Sequence, residues 1–280
     1  MKRLLLLLLI GCAPKHAPGP TRLVKDWRGR EIAVPVNPQR IVSIVPGCTE
    51  LLFAVGAGPQ VVGVTTYCLY PDEALRLTKI GDLSVNYEVL VSLKPDLVVA
   101  SSLLVKSNVA AIESLGLPVF CVDPVDFGDI ARALRVLGDV TGRGEAGEKA
   151  ARELETRVAA VERRVAGKPR PTVVMELTSR VDVAVPGTYG HDVIVRAGGT
   201  NAFGDMKGPL FAPVTWEAVV ARDPDVYVVA HEDGNQPVER RGFAGMKASK
   251  RCVAVDAKWL VFPTPRLARG LELVAEALHR

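Results

Sequence analysis

The chain carries EVLVSLKPDLVVA at residues 88–100 and EAVVARDPDVYVV at residues 217–229, and the two stretches align without gaps. Each stretch reads as a short helix that opens near a Glu, then a Pro-Asp turn, then an apolar strand. Each copy also leads to a later apolar run that closes with an acid, Asp123 or Asp256. The repeat indicates two structurally related halves, with a chance likeness of two helix–turn–strand units as the alternative.

Short apolar runs bounded by Pro, Gly or Asp recur along the chain, and continuous runs of this kind predict strands that are buried on both faces. Helical patterns lie between the runs, which predicts right-handed βαβ units and mostly parallel sheets. We therefore expect an α/β fold with two Rossmann-like lobes. The strand-like runs are Ile41–Val45, Val61–Thr65, Leu97–Ala100, Val119–Val122, Thr172–Leu177, Val226–Ala230 and Cys252–Val255.

The middle of the chain has a helical pattern without a strand signal. Its apolar residues recur at spacings of three or four and form one stripe, made of Ala150, Leu154, Val158, Val161 and Val165. Acids such as Glu148 precede bases such as Arg152 by one helical turn, which stabilises an exposed helix. The pattern predicts a connecting helix over residues 143–168, between an N-terminal lobe (22–142) and a C-terminal lobe (169–280). An ordinary surface helix of a single domain is the alternative.

The N-terminus has the pattern of a secretory signal. A cationic start is followed by the apolar run Leu4–Ile10, which is too short to cross a bilayer. Leu9-Ile10-Gly11-Cys12 resembles a bacterial lipobox, which predicts a signal peptide over residues 1–11, lipidation of Cys12 and a flexible tether over residues 12–21. A plain signal peptide cut near Ala13 is the alternative. We expect an exported protein, anchored by lipid to the cell membrane and facing the periplasm or the exterior.

Composition narrows the function. With 48% hydrophobic and 24% charged residues, the 280-residue chain is globular, and a net charge of +4 gives no indication of a nucleic-acid partner. The sequence contains no G-x-S-x-G, H-E-x-x-H or Walker-type motif, which argues against an enzyme. A lipid-anchored enzyme and a purely structural lipoprotein remain as alternatives. Of the four cysteines beyond Cys12, Cys48 and Cys68 either form a disulfide or are free thiols.

Residues 40–52, RIVSIVPGCTELL, resemble the opening strand and helix of the helical-backbone substrate-binding proteins of bacterial ABC importers for cobalamin, siderophores and haem. The likeness extends over roughly residues 22–279 and includes Ala197-Gly-Gly-Thr-Asn201 and Pro265-Arg266-Leu267. It implies a monomer with two lobes joined by one long helix and a ligand cleft between them.

The resemblance also implies that one acid on each lobe docks onto the arginines of a permease dimer, which works with its ATPase subunits. The matching positions are Glu88 and Glu217, the two glutamates of the repeat. For either glutamate alone, a favourable interaction with the helix dipole is the alternative.

Ligands of α/β proteins bind outside the carboxyl ends of the strands. This rule and the resemblance together give the candidate ligand-binding residues Cys48, Thr49, Tyr67, Tyr70, Ser101, Asp123, Arg180, Phe211 and His231. His191 and His231 are candidates for contact with a metal centre of the ligand, with a surface or capping histidine as the alternative. We expect no resident cofactor. The expected ligand is a metal chelate, ranked as a corrinoid first, then a ferric siderophore, then haem.

The aromatic side chains among these candidates, Tyr67, Tyr70 and Phe211, can supply flat apolar walls for a macrocycle. Cobalamin-binding members of the family carry tryptophans where this chain has Leu83 and Ser101-Ser102. The sequence therefore indicates the family more firmly than it indicates the ligand.

Overall fold

The computed structural model describes residues 20–82, 84–231 and 237–280. The expected signal peptide, Cys12 and residues 13–19 of the expected tether lie outside the described residues. The described chain forms two α/β lobes, each with its own sheet, on either side of one long helix. This architecture confirms the predicted fold class.

The N-terminal lobe begins with an antiparallel hairpin and continues as alternating strands and helices. Its elements are β1 (Thr21–Lys25), β2 (Glu31–Pro35), β3 (Ile41–Ser43), α1 (Pro46–Ala54), β4 (Val61–Val64), α2 (Asp72–Leu75), β5 (Thr78–Lys79), α3 (Tyr87–Ser92), β6 (Leu97–Ala100), α4 (Lys106–Ser114), β7 (Val119–Cys121) and α5 (Phe127–Val140). The five strands after the hairpin form a parallel sheet in the order β5-β4-β3-β6-β7. Strands β3 and β6 are fully buried, as continuous apolar runs predict.

The long helix α6 spans Gly144–Val165. Four residues of the predicted stripe, Leu154, Val158, Val161 and Val165, are buried, whereas the fifth, Ala150, is only partly buried. The stripe instead continues toward the N-terminus through Ala151 and Gly147, where α6 crosses α5 at close range.

Ion pairs tie the two ends of α6 to different lobes. Near its start, Glu148 accepts a hydrogen bond from Arg135 of α5 at 2.7 Å. In its C-terminal half, Arg157 donates to Glu272 of the C-terminal lobe at 2.8 Å. The predicted intrahelical pair also forms, with Arg152 Nε 2.6 Å from Glu148. The polar face of α6 therefore binds both lobes and is not only solvated.

The C-terminal lobe contains a mixed sheet in the order β11-β9-β8-β12-β13, with β10 also paired to β8. Its elements are β8 (Thr172–Thr178), β9 (Asp182–Val183), α7 (Tyr189–Arg196), β10 (Thr200–Asn201), β11 (Ala212–Pro213), α8 (Trp216–Arg222), β12 (Val226–Val229), β13 (Cys252–Ala254) and α9 (Leu267–Leu278). The pairs of β8, β10, β12 and β13 are parallel, whereas β9 and β11 are antiparallel additions at one edge.

The two copies of the repeat have matching backbone geometry. Helix α3 is capped by the side chain of Asn86, which accepts from a backbone N–H at 3.1 Å, and α8 is capped in the same way by Thr215 at 3.2 Å. The equivalent residues Lys94 and Asp223 both adopt positive φ, at 48° and 41°.

The Asp of each Pro-Asp turn has the same role as well. Asp96 accepts hydrogen bonds from the backbone N–H groups that precede β3, and Asp225 accepts from the N–H of Thr172 at the start of β8. In both copies the Asp of the turn thus joins its helix–turn–strand unit to the neighbouring strand through the same kind of hydrogen bond. This shared contact favours structurally related halves over a chance likeness.

One hydrophobic core runs through both lobes. The same cluster of buried side chains includes Leu51 of α1, Leu134 of α5, Leu154 of α6 and Leu271 of α9. A smaller cluster lies within the C-terminal lobe around Tyr227 and Phe243. Because interiors are close-packed, the shared core fixes the relative position of the lobes more firmly than a flexible linker would.

Candidate functional site

A cavity lies between the two lobes at the carboxyl ends of the N-terminal strands, where ligands of α/β proteins bind. Its enclosed volume is about 110 Å³. The N-terminal lobe contributes the loops after β3, β6 and β7, and the C-terminal lobe contributes two short segments, residues 210–211 and 261–263. We call this space the interlobe cavity. Four predicted site residues line it, namely Cys48, Ser101, Asp123 and Phe211.

The carboxylate of Asp123 holds the loop after β6. It accepts hydrogen bonds from Ser101 Oγ at 2.5 Å, from Ser102 Oγ at 2.6 Å and from the backbone N–H of Ser102 at 3.1 Å. The N–H of Leu103 adds a further contact at 3.3 Å. Asp123 therefore shapes the wall of the cavity, and its oxygens are occupied by the protein itself.

Large apolar side chains are exposed in two loops at the carboxyl ends of the N-terminal strands β4 and β6. They are Tyr67 (54% exposed), Leu69 (65%) and Tyr70 (45%) in the loop after β4, and Leu103 (63%) and Leu104 (47%) in the loop after β6. We call these five residues the apolar rim. Leu103 and Leu104 also line the interlobe cavity, whereas the predicted site residues Tyr67 and Tyr70 line neither this cavity nor the more open one beside it. Clustered exposed apolar groups cost solvation free energy and mark binding surfaces. The two leucines were missed from the sequence, although adjacent leucines in a loop after a buried strand were a usable signal.

Thr49 and Cys68 are buried inside the N-terminal lobe, whereas Cys48 lines the interlobe cavity. Thr49 is fully buried, donates to Ser43 Oγ at 2.8 Å and lies 3.1 Å from Cys68 Sγ, so it does not line the cavity. Cys48 and Cys68 are free thiols, so the disulfide alternative is wrong. Burial raises the pKa of Cys48 well above its usual value and that of Cys121 to about 12, which keeps both thiols protonated at neutral pH.

On the C-terminal side, His231 belongs to a buried polar cluster. Glu176, fully buried in β8, accepts hydrogen bonds from His231 Nε2 at 2.9 Å, from the hydroxyl of Tyr227, and from both terminal nitrogens of Arg240 at 2.8 and 2.6 Å. Burial, and then the charge of Glu176, raises the pKa of Tyr227, so its proton stays on the phenol. Among the described residues, Nδ1 of His231 is buried without a hydrogen-bond partner.

His231 also lines a second, more open cavity of about 560 Å³ beside the interlobe cavity. Val261 lines both cavities, so the two are adjacent. Asp256 and Lys258, which form an ion pair, supply charges at this second cavity. The cleft thus has an apolar part next to the N-terminal lobe and a polar part next to the C-terminal lobe.

Arg180 and His191 line neither cavity. The Arg180 side chain is 87% exposed and lies 4.0 Å from its nearest acid, Asp182. His191 Nδ1 contacts the side-chain amide of Asn201 at 3.1 Å, and burial lowers the pKa of His191 despite the opposing charge of Asp192. In the described part of the chain, no group of three or more His, Cys, Asp or Glu residues is arranged to hold a metal ion.

The two repeat glutamates occupy equivalent surface positions. Glu88 is the second residue of α3 and Glu217 the second residue of α8, and both are exposed. A carboxylate in the first turn interacts favourably with the helix dipole, so this position alone is compatible with a structural role. Exposure on both lobes leaves both carboxylates accessible to a partner.

Comparison with known proteins identifies the family. The periplasmic binding protein family matches residues 41–251. The chain belongs to this family. It is 31% identical over 244 residues to the vitamin B12-binding protein of Salmonella choleraesuis, a match that covers 86% of this chain and 90% of that protein.

Two further relatives widen the comparison. An uncharacterized ABC transporter substrate-binding lipoprotein of Bacillus subtilis is 28% identical over 268 residues, covering 91% of this chain and 85% of that protein. The apo structure of a periplasmic heme-binding protein from Roseiflexus sp. RS-1 superposes with a TM-score of 0.74 at 28% identity, covering 86% of this chain and 98% of that one. These relatives are binding and transport proteins. This periplasmic binding protein is accordingly of the substrate-binding type that serves ABC importers. Within the described ranges, no helix combines the length and apolar character needed to span a bilayer.

Proposed function

We propose that this protein is the lipid-anchored solute-binding component of an ABC importer and that it captures a corrinoid. The apolar rim carries the proposal, because it presents two tyrosines and three leucines to solvent at the carboxyl ends of the N-terminal strands, and two of the leucines line the interlobe cavity. A corrinoid has a broad, largely apolar macrocycle that such a surface can cover. The similarity to vitamin B12-binding proteins supports the same ligand class.

The binding mode follows from the two parts of the cleft. The macrocycle would lie on the apolar rim with Phe211 opposite it, and the polar groups at its edge would face His231, Asp256 and Lys258. Aromatic side chains contribute flat contact area at low conformational cost. The protein binds and releases this ligand and does no chemistry on it.

The ligand proposal is tested by calorimetric and absorbance titration of the protein with cyanocobalamin, cobinamide, haemin and a panel of ferric siderophores. We expect saturable binding of the corrinoids, weakened about tenfold or more by Tyr67→Ala or Leu103→Ala. Leu115→Ala is the matched control, since Leu115 is also 49% exposed but follows α4 at the opposite edge of the sheet. Absence of corrinoid binding, or equal losses for the rim variants and Leu115→Ala, would contradict the proposal.

One observation favours haem as a second candidate ligand. His231 Nε2 pairs with the carboxylate of Glu176, Nδ1 has no hydrogen-bond partner among the described residues, and a carboxylate-supported imidazole is the usual form of a metal-ligating histidine. If haem is the ligand, haemin will bind tightly and His231→Ala will alter its Soret absorbance. If that spectrum is unchanged in His231→Ala, His231 is not an iron ligand.

Glu88 and Glu217 are proposed to dock onto arginines of the permease dimer. Two separated carboxylates, one on each lobe, would set both the position and the orientation of the protein, and pairs between carboxylate and arginine are strong and directional. We expect Glu88→Ala combined with Glu217→Ala to abolish uptake while ligand affinity stays unchanged. Glu145→Ala is the control, because Glu145 is likewise an exposed acid in the first turn of a helix. Loss of ligand binding in the double variant would place these residues in the cleft instead.

Lipid anchoring at Cys12 is tested separately. Metabolic labelling with a radioactive fatty acid should modify the wild-type chain and not Cys12→Ala. A soluble, unlabelled wild-type product would support the plain signal peptide.

A further inference from the structure

The lobes meet at a buried ion pair between Glu50 of α1 and Arg266, which immediately precedes α9. We propose that Arg266 is a positioning residue for the ligand cleft: its guanidinium anchors residues 261–266 to the N-terminal lobe and, from the same position, supports the ring of Tyr70. This inference rests on the proposed function for its ligand, while the anchoring itself is measurable without any ligand.

The contact with Glu50 has the geometry of a strong pair. Arg266 Nε lies 2.9 Å from one carboxylate oxygen of Glu50, and a terminal nitrogen of Arg266 lies 2.5 Å from the other. The hydroxyl of Thr264 adds a hydrogen bond to the same carboxylate at 2.7 Å. The Glu50 side chain is 4% exposed and that of Arg266 is 18% exposed, so solvent screens this pair weakly. A fork-like guanidinium fixes direction as well as distance, which a lysine cannot do.

The anchored segment is part of the cleft. Val261, Phe262 and Pro263 line the interlobe cavity, directly before the two residues that contact Glu50. Phe262 and Thr264 pack against the start of α1 at Gly47, where an added Cβ would lie 3.8 Å from Phe262. The Glu50 contact therefore determines where one wall of the cavity stands relative to the opposite lobe.

The same guanidinium supports the apolar rim. The central carbon of Arg266 lies 4.0 Å from the centroid of the Tyr70 ring, a close cation–π contact. Tyr70 is nevertheless 45% exposed, so the ring remains accessible while Arg266 restricts its rotation. A ring held in this way loses less conformational entropy when a flat ligand stacks on it. Arg266 thus links the lobe contact to the orientation of a predicted ligand-binding side chain.

Two ligand-free measurements test the anchoring. The first is backbone hydrogen exchange of residues 261–266, and the second is the ¹⁹F spectrum of protein labelled with 3-fluorotyrosine, with the Tyr70 signal assigned through Tyr70→Phe. The variants are Arg266→Gln, Arg266→Lys and Glu50→Gln. Arg269→Gln is the matched control, because Arg269 lies one helical turn further along and pairs with Glu272 inside the C-terminal lobe at 3.1 Å.

We expect Arg266→Gln to accelerate exchange in residues 261–266 and to shift the Tyr70 signal, with Arg269→Gln like the wild type in both. Glu50→Gln should also accelerate the exchange, but it should shift the Tyr70 signal less than Arg266→Gln does, because it leaves the guanidinium in place. Arg266→Lys should rescue neither readout fully, since an ammonium cannot make the two-pronged contact. Unchanged exchange and an unchanged Tyr70 signal in Arg266→Gln would overturn the proposal.

A ligand measurement separates positioning from general destabilisation. With cyanocobalamin as the probe, Arg266→Gln should weaken binding about three- to thirtyfold in the wild-type background and clearly less in the Tyr70→Leu background. Equal losses in both backgrounds would refute the link through Tyr70. If cyanocobalamin fails to bind the wild-type protein, the ligand proposal is wrong, while the exchange and ¹⁹F data still decide the role of Arg266.

Discussion

Replacement of Glu176 by Ala should destabilise the protein strongly, because this carboxylate is fully buried and is the centre of a charged cluster. The change removes both hydrogen bonds that Arg240 donates to Glu176, together with those from His231 and Tyr227. Breaking a buried ion pair by deleting one partner costs about 3–5 kcal/mol. That is a large part of the roughly 5–15 kcal/mol that stabilises a typical domain.

For a chain of this size, 1 kcal/mol changes the melting temperature by about 2–4 °C, so Glu176→Ala should lower it by roughly 6–20 °C. The assay is calorimetry, with the far-ultraviolet circular dichroism at 20 °C as a check on folding. The exposed bidentate pair between Arg222 and Asp205 in the same lobe supplies the control, and Asp205→Ala should change the melting temperature very little.

A double-mutant cycle sharpens the test. Arg240→Met should also destabilise, and Glu176→Met with Arg240→Met should cost less than the sum of the single changes, because neither charge is then buried alone. A loss of only a few degrees for Glu176→Ala, or strict additivity in the cycle, would refute the view that this cluster is held together by its buried charge pair.

Three further predictions concern stability and the cleft. Burial lowers the pKa of His191, so the stability that its neutral form supplies is complete above the unfolded pKa of about 6.5 and is lost as the pH falls toward the folded pKa. The melting temperature of His191→Gln should therefore depend less on pH between 7 and 5 than that of the wild type. An equal pH dependence in both proteins would contradict this. Gly47→Ala should be tolerated because its Cβ meets only ordinary contacts, whereas Gly47→Leu should push residues 262–264 away and weaken corrinoid binding. If titration gives Gly47→Leu the same corrinoid affinity as Gly47→Ala, this contact does not shape the site. Gly147→Ala places a Cβ 2.5 Å from the carbonyl oxygen of Leu134 and should cost about 1–3 kcal/mol in denaturant unfolding, whereas Gly144→Ala, with open space around it, should cost nothing; similar values for both would refute the close crossing of α5 and α6.

Long periodic patterns predicted most of the fold. The continuous apolar runs became β3, β4, β6, β7, β8, β12 and β13. The predicted burial on both faces holds for β3, β6, β7 and β12 but is wrong for β13, which lies at the edge of its sheet with Cys252 and Val253 partly buried and Ala254 exposed. The two-residue strands β9, β10 and β11 gave no signal, since two residues cannot show a period. Their pairing depends on the strands beside them and not on their own sequence.

The candidate site was predicted less completely. The strand-end rule placed Ser101 and Asp123 at the cavity, but it gives position along the chain and not side-chain direction. The side chain of Thr49 therefore lies inside the lobe, hydrogen-bonded to Ser43, although its neighbour Cys48 lines the cavity. The pair between Glu50 and Arg266 joins residues 216 positions apart, and no local pattern carries that information.

The size of the interlobe cavity decides how a macrocycle can bind. Its enclosed volume of about 110 Å³ is below the roughly 300–1,000 Å³ of sites that enclose a drug-sized ligand. The lobes share one core through α5, α6 and α9, so wide separation would expose buried apolar surface at about 25 cal/mol for each Å². A corrinoid is therefore better accommodated outside the interlobe cavity, on the apolar rim, than inside it. In that arrangement the rim residues, and the Arg266 contact that supports one of them, set the affinity more than the residues that line the enclosed cavity.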